Sequence, residues 1–231
     1  MTLALVPARG GSKRIHNKNL TDVCGLPMFV WSVLSAKAAG CRVVVSSDSP
    51  EILSTAVEHG AEPLVRPEAL ASDEATLEQV CLHALITLQP DAMLVLQPTS
   101  PLRGPDRIRQ ACGELERHGS VVSLTLDPGA YFAWEAEGGI YWPTFSDRPR
   151  TQDLTYYREN GAIYGMTREI IESHGRRYAD APGVVIMDGW ESVDVDTHDD
   201  LEVARFWMTR QMFRRNPQFA KAAGWHGSNG A

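Results

Sequence analysis

The chain of 231 residues is 43% hydrophobic, 22% charged and 8% aromatic, a profile that excludes a disordered, collagen-like or coiled-coil protein. Its length suits one domain with a sizeable excursion and buries about 70–75% of the unfolded surface, so no disulfide or metal staple is needed for folding. Twenty-two basic and twenty-nine acidic residues leave a net charge of −7, which disfavours nucleic acid and anionic lipid as partners.

In chain order, short apolar runs rich in β-branched residues fall at Leu3–Val6, Arg42–Ser46, Ala61–Val65, Ala92–Leu96, Ser120–Leu126, Ala162–Tyr164 and Val184–Met187. Too short for helices and too continuous for half-exposed strands, they predict buried strands of a largely parallel sheet. Helical periodicity marks Pro27–Ala39, Pro50–His59, Glu74–Leu88, Pro105–His118, Thr167–Ser173 and His198–Gln211. Ser49 precedes Pro50 at a helix start, and Gly40, Gly60 and Gly119 stand where helices should stop. The alternation predicts a doubly wound α/β core over 1–126 and 159–215.

Residues 127–158 break that rhythm with a concentration of Tyr, Phe and Trp. They predict an antiparallel arm, either a dimerisation element buried against a second subunit or a small subdomain packed on its own chain. The stretch 216–231, rich in Ala, Gly and Asn, is expected to be a flexible tail. Cys24, Cys41, Cys81 and Cys112 form no C-x-x-C pair and have no histidine at zinc spacing, so they predict reduced core thiols of a cytoplasmic protein. No run approaches the roughly 18 apolar residues of a membrane span.

Charge is distributed unevenly. Residues 1–20 hold Arg9, Lys13, Arg14 and Lys18 with no acid, a stretch of +4 against −11 on the other 211 residues. A cationic loop on an acidic chain points to a small anionic ligand. In Leu5–Asn19, straight after the first predicted strand, Gly10 and Gly11 let the backbone approach a phosphate, Ser12 offers a hydroxyl, and Arg9, Lys13 and Lys18 supply charge. Neither the Walker A pattern nor G-x-G-x-x-G is present. The seven histidines form no metal or triad grouping, so general-base work by histidine has no support.

The loop PARGGSKR…KN resembles the signature loop of the sugar-activating cytidylyltransferases, above all the CMP-sialic acid synthetases (acylneuraminate cytidylyltransferases). Five further segments match in order: Val44–Asp48, Arg66–Asp73, Leu96–Arg103, Arg158–Tyr164 and Val193–Thr197, so that the resemblance spans residues 3–205. It implies a nucleotide-diphospho-sugar transferase fold and a homodimer. It also implies an Mg²⁺-dependent reaction in which a nine-carbon sugar acid attacks CTP to give a CMP-sugar and pyrophosphate.

By the same resemblance, Arg9, Gly10, Gly11, Ser12, Lys13 and Lys18 hold the triphosphate, and Asn19 lies near the nucleotide. Arg66 and the backbone at Ala75 meet the cytosine. Gln97, Arg150, Gln152, Asn160 and Tyr164 are assigned to the sugar acid, with Arg150 taking its carboxylate in its own or a neighbouring subunit's site. Arg9, Lys18 and Asp196 are the expected catalytic residues. Tyr164 reads equally as a half-buried strand tyrosine, and Arg103 as an anchor of its own turn.

Asp194 and Asp196, two apart on an extended segment, point to one face and suit Mg²⁺. The competing reading makes Asp196-Thr197 the cap of the next helix. His16 stands where the family often has proline, and Gly129–Ala133 lacks a His and Lys often seen there, which leaves the sugar open among N-acetylneuraminate, KDN, legionaminate and pseudaminate. A Kdo-activating enzyme is the nearest alternative reading, and a catalytically silent nucleotide-binding dimer a more distant one.

Overall fold

The computed structural model describes residues 1–12, 14–137 and 140–225; Lys13 and residues 226–231 of the expected tail lie outside the described residues. Period-two burial sets the sheet. In β1 (Leu3–Pro7), Leu3 and Leu5 face one layer and Ala4 and Val6 the other, and both faces are covered, which is why the run is apolar throughout. With β2 (Arg42–Ser47), β3 (Glu62–Val65), β4 (Ala92–Leu96), β5 (Ser120–Leu126), β6 (Tyr157–Thr167) and β7 (Gly183–Met187) it forms a seven-stranded sheet in the order β7-β5-β6-β4-β1-β2-β3. β6 runs antiparallel to β4 and β5, and the other pairs are parallel.

Helices α1 (Met28–Ala38), α2 (Pro50–Glu58), α3 (Leu77–Leu88), α4 (Pro105–His118), α5 (Arg168–His174) and α6 (His198–Trp207) alternate with the strands. The first, second and fourth cover one face through Val33, Ile52 and Ile108, whereas α3 and α5 cover the other through Leu85 and Ile171. This is the predicted doubly wound architecture. Ser49 caps α2, accepting the Ile52 N–H at 3.4 Å. A reciprocal Thr76–Gln79 capping box starts α3 at Leu77, later than the apolar pattern suggested.

Strand β6 is far longer than the predicted Ala162–Tyr164. Its first residues are exposed and polar, and its register with β5 shifts between Glu159 and Tyr164. Gly161 sits there at φ 72°, in the left-handed region that favours glycine, and this bulge interrupts the alternation that periodicity relies on.

The expectation of a flexible tail is corrected for residues 216–225. A π-helical turn over Met208–Met212 continues α6, and a further helix covers Pro217–Ala222. Its Phe219, 3% exposed, packs with its ring centroid 6.2 Å from that of Trp31 on α1. One buried aromatic supplies the apolar area that docks an otherwise Ala-rich segment.

Residues 127–156 protrude as a hairpin, Trp134–Glu137 with Ile140–Pro143, flanked by short turns at Pro128–Phe132 and Thr151–Asp153. Tyr131, Phe132, Phe145 and Tyr156 pack on one another, while Ile140 and Tyr141 are each 69% exposed.

Candidate active site

The carboxyl ends of β1 and β4 open into a cleft of about 530 Å³ whose walls include Arg9, Ser12, Lys18, Asn19, Arg66 and Ala75 from the predicted nucleotide set, with Gln97 and Asp196. Open α/β sheets bind ligands at this end. The phosphate loop is held by β2: the Ala8 N–H donates to the Ser46 carbonyl at 3.0 Å, and the Gly10 N–H to Asp48 Oδ1 at 2.9 Å. A Cβ on Gly10 would lie 3.0 Å from that of Ser49, so the approach needs glycine. Gly11 has open space where a Cβ would point. Asn19 closes the loop by donating from Nδ2 to the Arg9 carbonyl at 2.8 Å, which leaves its buried Oδ1 without a protein partner.

Arg9, Arg14 and Lys18 of the loop each meet a carboxylate from a distant part of the chain. Arg9 Nη1 lies 2.9 Å from Asp73 Oδ1 and donates to the Ser72 carbonyl at 3.3 Å. Lys18 Nζ, largely shielded from solvent, donates to Asp196 Oδ1 at 2.9 Å and to the Val195 carbonyl at 3.0 Å. Arg14 is exposed and pairs with Asp196 Oδ2. The hydrogen bond from Lys18, with Arg14 adding, holds the Asp196 carboxyl below the usual carboxylate range.

Arg66 is buried, 6% exposed. Its Nε donates to Ser46 Oγ at 3.2 Å and its Nη2 to the Ser46 carbonyl at 2.8 Å, and burial pushes the guanidinium down to about 10.

The facing wall comes from the segment before α6. The Val195 N–H donates to the Thr99 carbonyl at 2.8 Å, joining this segment to the turn after β4 that carries Gln97. Asp194 stands beside Asp196; desolvation of its carboxyl raises it above the ordinary range, the Thr99 hydrogen bond opposes, and the charge of Asp196 raises it further. Thr197 and Asp200 form the α6 capping box, so the cap reading holds for Thr197, while Asp196 lines the cleft and Asp194 is hydrogen-bonded to Thr99. Among the described residues no group of three or more His, Cys, Asp or Glu could hold a metal ion.

Behind the cleft, Arg103 is 1% exposed and donates to the carbonyls of Ala162 (2.6 Å) and Gln97 (3.3 Å) and to Ser32 Oγ (2.7 Å). It anchors its turn as expected, and burial pushes it down to about 9.

Four predicted sugar contacts lie elsewhere. Asn160 is buried and spends its amide on Ser123 Oγ, Ser192 Oγ and the Ala162 N–H, so the structure makes it the pin of the β6 bulge rather than a cleft residue. Arg150 and Gln152 lie on the arm, exposed, with Arg150 paired to Asp153 three residues on. Tyr164 forms the buried floor below a second cleft of about 520 Å³ walled by Glu78, Glu159, Arg177 and Tyr178. It donates to Glu159 at 3.2 Å, stacks on Tyr178 and lies under the Arg177 guanidinium at 5.0 Å.

Residues that sequence reasoning missed are Asp73 and Thr99, both inside quoted motifs yet given no role, and Arg177 and Tyr178, which no motif marked. Cysteine burial also differs from expectation, since Cys81 is buried while Cys24, Cys41 and Cys112 are partly exposed.

A doubly wound sheet with a cationic glycine loop facing paired aspartates defines a nucleotidyltransferase. A family model described as cytidylyltransferase matches residues 3–137, and the chain belongs to this family, on its CMP-sialic acid synthetase-like side. The CMP-N,N'-diacetyllegionaminic acid synthase of Legionella pneumophila is 33% identical over 86% of this chain and 92% of its own length. The pseudaminic acid cytidylyltransferase of Campylobacter jejuni is 31% identical over 88% and 94%. The N-acylneuraminate cytidylyltransferase of Escherichia coli is 29% identical over 87% of this chain but 51% of its own. In fold, a CMP:2-keto-3-deoxy-manno-octonic acid synthetase solved with CTP superposes with a TM-score of 0.69 at 17% identity, covering 91% of this chain and all of the other.

Proposed function

We propose that this chain transfers the cytidylyl group of CTP to the anomeric hydroxyl of a nonulosonic acid, releasing pyrophosphate. The observation that carries the reading is the meeting of the cationic loop with the aspartate segment in one cleft: Lys18 and Asp196, 178 positions apart, lie 2.9 Å from each other. Arg9, Ser12 and Lys13 of the loop cradle the triphosphate, and Arg9 and Lys18 stabilise charge that builds on the α-phosphate and the leaving pyrophosphate. The unpartnered Asn19 Oδ1 accepts a hydrogen bond from the nucleoside, with Arg66 and the Ala75 backbone at the base.

The sugar acid lies against Gln97. Its anomeric oxygen bonds to the α-phosphorus, the bond to the β-phosphate bridge breaks, and Asp194 or Asp196 takes the proton. Asp194 and Asp196 would hold Mg²⁺, a hard cation suited to carboxylate oxygens. When bound there, Mg²⁺ neutralises triphosphate charge.

The relatives of matched length are named for legionaminic and pseudaminic acids, which favours a nonulosonate of that kind over N-acetylneuraminate. The exposed apolar face of the arm would close a homodimer and carry Arg150 to the carboxylate of the partner's sugar. No helix among the described residues is long and apolar enough to cross a membrane, and a reaction that consumes CTP belongs in the cytoplasm.

The test is pyrophosphate release with CTP and Mg²⁺ against N-acetylneuraminate, KDN, legionaminate, pseudaminate and Kdo, with ATP, GTP and UTP as controls. Release with CTP and a nonulosonate is expected. Turnover with Kdo alone would move the enzyme to the eight-carbon acids, and silence throughout with CTP bound would favour the catalytically silent dimer.

A further inference from the structure

Cys41 lies in the turn that returns the chain from α1 to β2, and Cys112 lies two turns into α4. The two are 71 positions apart, yet their sulfurs are 3.9 Å apart, and both side chains are half-buried rather than sealed. Neither belongs to the cleft. We propose that Cys41 and Cys112 are a modification site, a dithiol that a low-molecular-weight disulfide oxidises to an intramolecular disulfide joining the α1–β2 turn to α4.

Packing holds the pair in place. Both cysteines sit against the core formed by Ala36 on α1 and Ala111 on α4, and the Cys41 N–H donates to the Ala36 carbonyl at 3.0 Å. A disulfide needs its sulfurs about 2.05 Å apart, closer than the 3.9 Å that separates them in the reduced pair. The other two thiols are differently placed. Cys81 is fully buried among the side chains of α3, where burial pushes it up to about 12, and Cys24 donates its S–H to the Arg205 carbonyl.

The pair also divides the chemical labour. The hydrogen bond between the two sulfurs, with help from Thr2, lowers Cys112 to about 6 against the opposing effect of burial, while the same contact raises Cys41. The contact thus favours ionisation of Cys112, which attacks one sulfur of the small disulfide, expelling one thiolate and leaving a mixed disulfide. Cys41 then loses its proton, attacks Cys112 Sγ and expels the second thiolate. Two protein thiols lose two electrons and two protons, and one small disulfide becomes two thiols. Because Arg42 opens β2 at the amino-terminal end of the sheet, the new bond lies away from the cleft at the carboxyl ends.

The experiment treats the full chain with glutathione disulfide, blocks remaining thiols and maps peptides by mass spectrometry, before and after dithiothreitol. The expected result is a loss of two hydrogens, one Cys41–Cys112 linked peptide, and reversal by the reductant. C41S should instead stop at one glutathionyl group on Cys112. Oxidised chains joined between molecules, a bridge through Cys24 or Cys81, or full alkylation of both cysteines after treatment would each overturn the proposal.

Discussion

The cleft wall and the arm use the same kinds of residue in opposite ways. In the cleft, Arg9 meets Asp73 and Lys18 meets Asp196 across long stretches of sequence, because a rigid sheet delivers each partner. On the arm, Arg150 pairs with Asp153 three residues away, and the hairpin leaves Ile140 and Tyr141 in solvent. Long-range pairing preorganises charge within one chain. Local pairing leaves a side chain free to be repositioned by whatever covers the arm.

The largest test of this contrast is Lys18→Ala, expected to lower kcat by about 100- to 1000-fold with the fold retained; a loss below about tenfold would reduce Lys18 to a partner of Asp196. Next, Phe219→Ala should cost about 3 kcal/mol in denaturant unfolding, whereas Tyr141→Ala should change the isolated chain by less than about 0.5 kcal/mol. Equal costs would erase the difference between docked and uncovered aromatics.

Arg150→Ala should raise the KM for the sugar acid roughly tenfold and leave that for CTP unchanged. At sugar-acid concentrations below its KM, mixing it with Lys18→Ala should then give turnover above either protein alone, because the Lys18→Ala copy lends its Arg150 to a site whose Lys18 is intact. A mixture no better than its parts would withdraw Arg150 from the partner's cleft.

The smallest effect concerns pH. Asp196 is held below its ordinary 3.8, so its pairing contributes above that value and is lost as pH falls through the lower folded value. Its exposure limits the contribution to less than about 1 kcal/mol. Asp196→Asn should flatten that part of an acid-unfolding profile, and an unchanged profile would show that the pair contributes nothing to stability.

Much of this was legible in the sequence. Apolar runs buried on both faces announce parallel strands, and the glycine loop and the VDVD segment carry their chemistry in their composition. What escaped depended on long-range geometry. The bulge at Gly161 hid most of β6, and nothing in sequence reveals that Ser123 and Ser192 engage the amide of Asn160. Phe219 was hidden by the small residues around it, since docking depends on the distant Trp31. Arg150 and Gln152 cannot be placed by one chain if a second completes their surroundings.

Arg103 has a consequence for how the enzyme meets its ionic surroundings. Its positive charge sits behind the turn bearing Gln97, against carbonyls and a hydroxyl, where counterions cannot gather around it. Mobile ions mask exposed cations such as Arg14 but barely reach a buried one. Rising salt should therefore slow the first encounter of nucleotide and cleft, while the part of the potential set from inside the protein goes on retaining the nucleotide already bound.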